Sequence, residues 1–154
     1  MTGEPRARPP HLQVGAIALV FAGGFAGTVL RAWLQETVPT ATAVLLQAVP
    51  LTTLAINVVG SFLLGWLVVA WARRTRLRLL LGTGLLGGFT TYSALSADTV
   101  ELLGAGRVGA AALYGVGTVV LGLVAAAAGM TAAGKAAAGV APGSVAPGID
   151  ESAS

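Results

Sequence analysis

Gly84-Leu85-Leu86-Gly87-Gly88-Phe89-Thr90-Thr91-Tyr92-Ser93-Ala94-Leu95 decides how this chain folds. Apolar sequence runs into it from Leu77 and away from it through Val100 to Leu103. Its centre nevertheless holds three glycines and a run of hydroxyls. An ordinary membrane-spanning helix would be filled with Leu, Val and Ile. At membrane depth, irregular backbone survives only when it is buried in protein or lines a cavity. Unwound carbonyls can coordinate cations, and loose N–H groups can meet anions, so broken helices often mark ion sites. The stretch therefore predicts a span that is broken near its middle.

Composition supports this setting. Of 154 residues, 55% are hydrophobic and only 10% are charged. A soluble domain carries about 25% charged residues, so the chain reads as an all-α integral membrane protein. Cysteine is absent, which excludes disulfides and thiolate metal sites. The net charge of +3 comes from few groups. They look like membrane-orienting charges rather than a nucleic-acid surface.

Four spans are expected, at about 14–34, 51–71, 77–103 and 108–130. Residues 1–13, with several prolines and two arginines, read as a disordered entry. The apolar run from Val14 to Leu34 is longer than a signal-peptide core and lacks a clear small-x-small cleavage site. His11 has no acidic or His neighbour in sequence, and a metal site needs several converging ligands. Residues 35–50 form a linker that can include a short interfacial helix. The second span is long enough, at about 31 Å, to cross the hydrocarbon core. Residues 131–154, rich in Ala, Gly, Pro and Ser, read as a disordered tail.

Each continuous span carries a small or polar stripe. Gly23, Gly27 and Arg31 share one face of the first. The glycines suit close helix packing. Arg31 has two readings: it snorkels to the interface, or it attracts anions or joins a buried pair. Asn57, Ser61 and Gly65 share a face of the second span. An amide at that depth needs a partner, so Asn57 is either an interhelical hydrogen-bonding group or a pore-lining donor. Tyr114, Thr118 and Gly122 share a face of the fourth and read as a helix contact or as a pathway. Arg73, Arg74, Arg76 and Arg78 read as a cytoplasmic loop. No catalytic set is present: the chain has one His, no Cys and no acid pair at membrane depth. Gly84-x-x-Gly87-Gly88 is a poor nucleotide signal because it lies in a span. The chain is not expected to be an enzyme.

Three motifs resemble the Fluc (CrcB) fluoride channel family. Gly87-Gly88-Phe89-Thr90-Thr91-Tyr92-Ser93-Ala94-Leu95 is similar to its Gly-Gly-x-Thr-Thr-Phe-Ser-Thr-Phe signature. Gly23-Gly24-x-x-Gly27-x-x-x-Arg31 is similar to its first-helix motif, and Thr53-Leu54-x-x-Asn57-x-x-Gly60-Ser61 to its second. The resemblance implies an antiparallel, dual-topology dimer of four-helix subunits in the cell membrane, with two fluoride pores. It implies a structural, untransported Na+ at the dimer centre, held by the backbone carbonyls of Gly87 and Thr90. Asn57 would be the pore asparagine, and Tyr92 and Leu95 would stand where the family has two pore phenylalanines. Ser93 would belong to the same fluoride pathway. Tyr114 and Thr118 would form a fourth-helix polar track, with Gly122 where serine is usual, and Asp98 would replace a glutamate. Arg31 would be a vestibule arginine. The implied partners are fluoride, membrane lipid and a second Fluc-like subunit.

The chemistry is consistent with that resemblance. Fluoride is strongly hydrated, so a pore must replace water with closely spaced donors. Amide N–H groups and hydroxyls can supply them, and an aromatic ring offers a positive edge. Leu95 has no such edge. Two other classes are set beside this one. A small dimeric multidrug transporter needs a membrane-embedded acid, and residues 14–34 contain none. A non-conducting partner subunit of a channel complex would follow from a degraded pore. Seven of the nine basic residues fall on one side of a four-span plan, leaving only Arg31 and Arg107 on the other. The positive-inside rule then places the termini in the cytoplasm. So biased a chain predicts a heterodimer with an oppositely oriented mate, with a homodimer as the alternative.

Overall fold

The computed structural model describes residues 10–37 and 50–139, with the side chains of 10–13 left aside. Helix α1 runs Pro10–Thr37, α2 Leu51–Ala70, and the short α3 Thr75–Leu77. A π-helical segment, Arg78–Leu86, leads into α4, Gly87–Phe89. After an extended Thr90–Thr91, α5 runs Tyr92–Gly104 and α6 Val108–Ala138. No strand occurs among the described residues.

Among the described residues, three continuous helices are long and apolar enough to cross a membrane: Val14–Thr37, Leu51–Ala70 and Val108–Ala138. The third span in chain order is made of two halves, Thr75–Phe89 and Tyr92–Gly104. The 13 residues of the second half reach about 20 Å, too short to cross alone.

Three boundaries differ from expectation. The first helix already includes residues 10–13, inside the segment read as a disordered entry, and proline is tolerated in a first helical turn. The same helix continues through Glu36 to Thr37, into the segment read as a linker. Helix α6 does not stop at Met130 but continues through Lys135 to Ala138. Residues 131–138 are mostly alanine, the best helix former, and composition had masked that propensity. The short interfacial helix considered between 35 and 50 falls on residues 38–49, outside the described region, as do residues 1–9 and 140–154.

Alternating crossings put first and third spans parallel, and second and fourth likewise. The contacts follow that rule. A Cβ on Gly23 would overlap the Leu80 carbonyl oxygen, and one on Gly27 would overlap that of Leu85. One on Gly88 would overlap the Gly24 carbonyl oxygen. The small-residue stripe of α1 thus lets two backbones touch. In the second pair, a Cβ on Gly65 would overlap the Ala126 carbonyl oxygen, and one on Gly129 that of Phe62. With Gly65 level with Ala126, α6 outreaches α2 by about 10 Å at the end that carries the arginine turn. Lys135 lies on that overhang.

Helices α5 and α6 form an antiparallel hairpin around Gly106, whose φ of 74° suits glycine. Here the contact is between side chains: Leu95, Leu102, Ala111 and Tyr114 form a buried cluster. Trp66 and Trp71 meet edge to face at the end of α2, with ring centroids 6.0 Å apart.

Candidate functional site at the helix break

The break sits where two β-branched residues favour extended backbone. Thr90 has φ −74° and ψ 152°, and Thr91 has φ −145° and ψ 116°. Thr91 then restarts the helix as its N-cap, its hydroxyl accepting from the Ala94 amide at 3.1 Å. The Thr91 and Ser93 hydroxyls lie 3.1 Å apart. On the other side, Thr90 closes the first half: its amide and its hydroxyl both donate to the Leu86 carbonyl, each at 2.9 Å.

Asn57 clasps the break from α2. Its Nδ2 donates to the Thr91 carbonyl at 3.1 Å, and its Oδ1 accepts the Thr91 amide at 2.8 Å. One side chain thus satisfies both backbone groups of an extended residue at membrane depth, where leaving them bare is costly. The amide has a second N–H beyond the one given to Thr91. The interhelical role of Asn57 is therefore present, and it still leaves a donor at the break. Close behind, a Cβ on Gly60 would overlap the Thr90 methyl.

A helix end leaves its last carbonyls without intrahelical donors. Here Gly88 is met by Arg31 Nε at 3.4 Å and by the Thr28 hydroxyl at 3.5 Å. Arg31 also donates from a terminal guanidinium nitrogen to Gln35 Oε1 at 3.2 Å. It is half-buried against the third span rather than extended to the interface. No hydrogen bond among the described residues is directed at the carbonyls of Gly87 or Thr90. Gly87 is exposed, and its Cα hydrogens face open space. Both residues border a groove of about 560 Å³ that also touches Leu64, Leu67, Leu86 and, at its far end, Arg78.

These carbonyls are the oxygen donors a hard monovalent cation would accept. No group of three or more His, Cys, Asp or Glu converges among the described residues. A cation here would therefore be held by backbone, and the two carbonyls of this chain would be only part of its shell.

The polar track of α6 is internally paired. Tyr114, buried to 1% exposure, donates its hydroxyl to Asp98 Oδ2 at 2.8 Å. Thr118 donates to the Tyr114 carbonyl at 2.7 Å. Leu95 packs in the buried cluster with Tyr114, whereas Tyr92 is 80% exposed and points away from it. The structure thus gathers Asn57, Thr90, Thr91, Ser93, Gly88 and Arg31 at the break. It sets Leu95, Tyr114 and Thr118 in the adjoining helix pair and leaves Tyr92 on the outer surface. Sequence reasoning passed over the roles of Thr91 and Thr28, and it named Asp98 without finding its partner Tyr114. Thr91 carried a readable signal, a threonine opening an apolar run after glycines. Thr28 carried none.

Fold and site together define a small multi-pass membrane protein whose polar groups converge on the broken centre of one span. Comparison with known sequences gives the family. The CrcB-like protein, Camphor Resistance (CrcB) family matches residues 18–130. The fluoride-specific ion channel FluC 2 of Leifsonia xyli subsp. xyli is 43% identical over 129 residues, covering 79% of this chain and 86% of that protein. The fluoride-specific ion channel FluC of Novosphingobium aromaticivorans is 46% identical over 112 residues, covering 70% and 87%. That of Thermus thermophilus is 42% identical over 115 residues, covering 70% and 85%. The chain belongs to the CrcB family.

Proposed function

We propose that this chain is a subunit of a fluoride-specific channel that lets fluoride leave the cell passively and so lowers its toxicity inside. The observation that carries the reading is the break itself, clasped by Asn57 in a chain whose relatives bear the name fluoride-specific ion channel. An amide donor and hydroxyls stand together at the break. That is what a small, strongly hydrated anion requires in exchange for water. Purified protein in liposomes should release fluoride, read with an electrode, while retaining chloride. Equal leakage of both ions ends the proposal.

A sodium ion at the dimer centre is part of the reading. The Gly87 and Thr90 carbonyls of one subunit, joined by those of a second, would form an oxygen shell and add positive potential beside the anion path. The mate we favour is an oppositely oriented Fluc-like chain. The orientation bias supports it: Arg73, Arg74, Arg76 and Arg78 are exposed at one end of the molecule. Lys135 on α6 lies at that same end, because α6 runs parallel to α2. A multidrug transporter is disfavoured, since α1 has no acid between Val14 and Leu34 and Asp98 is engaged by Tyr114.

A further inference from the structure

In an unbroken helix the Gly88 carbonyl would accept the amide of Tyr92, four residues on. Here that carbonyl faces two long side-chain donors from α1 instead, Arg31 Nε at 3.4 Å and Thr28 Oγ1 at 3.5 Å. The backbone approach of Gly24 to Gly88 is what makes this reach possible. Thr28 and Arg31 follow Gly24 by one and two helical turns on the same face. Arg31 is steadied from its other side by Gln35. We propose that Arg31, with Thr28, holds the break open by occupying the acceptor that the Tyr92 amide would need to heal the helix. Asn57 does the matching work one residue earlier, where it takes the Thr91 amide from the Gly87 carbonyl. Three side chains from two different helices thus compete with two consecutive helical hydrogen bonds.

The physical basis is competition for one oxygen. A guanidinium N–H is a charge-assisted donor and outbids a neutral amide. Removing the charged donor frees the carbonyl, and the first amide of α5 gains a helical partner as Thr90 and Thr91 turn from extended to helical backbone. The consequence for ions rests on the sodium reading above. With Gly88 claimed from α1, Gly87 and Thr90 are left as the carbonyls that face outward. Arg31 is then a positioning residue for the break rather than an attractor of anions.

The test uses the full chain, with its partner subunit if one is required, in lipid nanodiscs. Amide hydrogen exchange at Tyr92 is followed by NMR. Arg31→Gln should slow exchange at that amide about tenfold, the scale of one charged hydrogen bond. Thr28→Val, which changes no charge, should slow it in the same direction by a smaller factor. Arg31→Lys should recover only part of the wild-type rate, because it lacks the planar fork. Exchange at Tyr92 that is unchanged or faster in Thr28→Val and in folded Arg31→Gln overturns the proposal. In parallel, fluoride release is titrated with sodium. A rise in the sodium midpoint in both variants supports the proposal. Slowed exchange in variants of a wild type whose flux ignores sodium upholds the held-open break and refutes the sodium reading alone.

Discussion

The two halves of the third span are held by opposite means. The first half, up to Phe89, lies backbone to backbone against α1 through Gly23, Gly24, Gly27, Gly84 and Gly88. The second half, from Tyr92, lies side chain to side chain against α6 through Leu95, Leu102, Ala111 and Tyr114. Glycine contacts bring carbonyls and a guanidinium within reach of one another, and that is where polar groups stay partly uncommitted. Side-chain packing fills space, and there the hydroxyls of Tyr114 and Thr118 are spent internally. The break lies at the seam, where one mode of packing gives way to the other. Helices in lipid gain little from apolar burial, so close contact and hydrogen bonds carry their association. Both modes therefore meet at the one place where backbone needs side-chain partners.

The comparison is broken most severely on the glycine side. Gly27→Leu puts a branched side chain where even a Cβ would overlap the Leu85 carbonyl oxygen. Because backbone cannot yield as a flexible side chain would, α1 should separate from the first half. The expected result is no monodisperse protein on size-exclusion chromatography. Normal yield and flux would mean that the close approach is dispensable.

Asn57→Leu acts at the seam. It removes both bonds to Thr91 and leaves that amide and carbonyl bare, a cost of about 1–3 kcal/mol per unsatisfied group. Fluoride flux should vanish, and the protein should remain foldable with a lower thermal midpoint. A midpoint equal to wild type would show that the clasp does not bear on the fold. By apolar character alone, leucine at this depth would cost the folded protein little. The reciprocal bond raises that cost.

Leu95→Phe sharpens the comparison on the packed side with the smallest effect. A ring at this position would add the positive edge that Leu95 lacks. Leu95 is 7% exposed, in contact with a cluster that includes the fully buried Tyr114. Overpacking such a site costs about 1–3 kcal/mol. A modest loss of thermal stability is expected, with flux at or below wild type. Raised flux at unchanged stability would place Leu95 on the ion path instead of in the core.

Much of this protein was legible in one dimension. Hydropathy and charge determine that it crosses the membrane and which end carries the arginines. Gly87, Gly88, Thr90 and Thr91 announce the break, because glycine and β-branched residues disfavour a regular helix locally. The glycine spacing of α1 marks a close contact but not its partner, which proved to be the first half of the third span. Only tertiary structure decided how the freed backbone is apportioned. Asn57 reaches Thr91 across 34 residues, and Arg31 reaches Gly88 across 57. Leu95 and Tyr92 lie on one short helix, yet one is sealed in the core and the other is exposed. Local sequence encodes the tendency of a helix to break. Which carbonyl is claimed, by which donor, depends on distances between helices, and those exist only once the helices have packed.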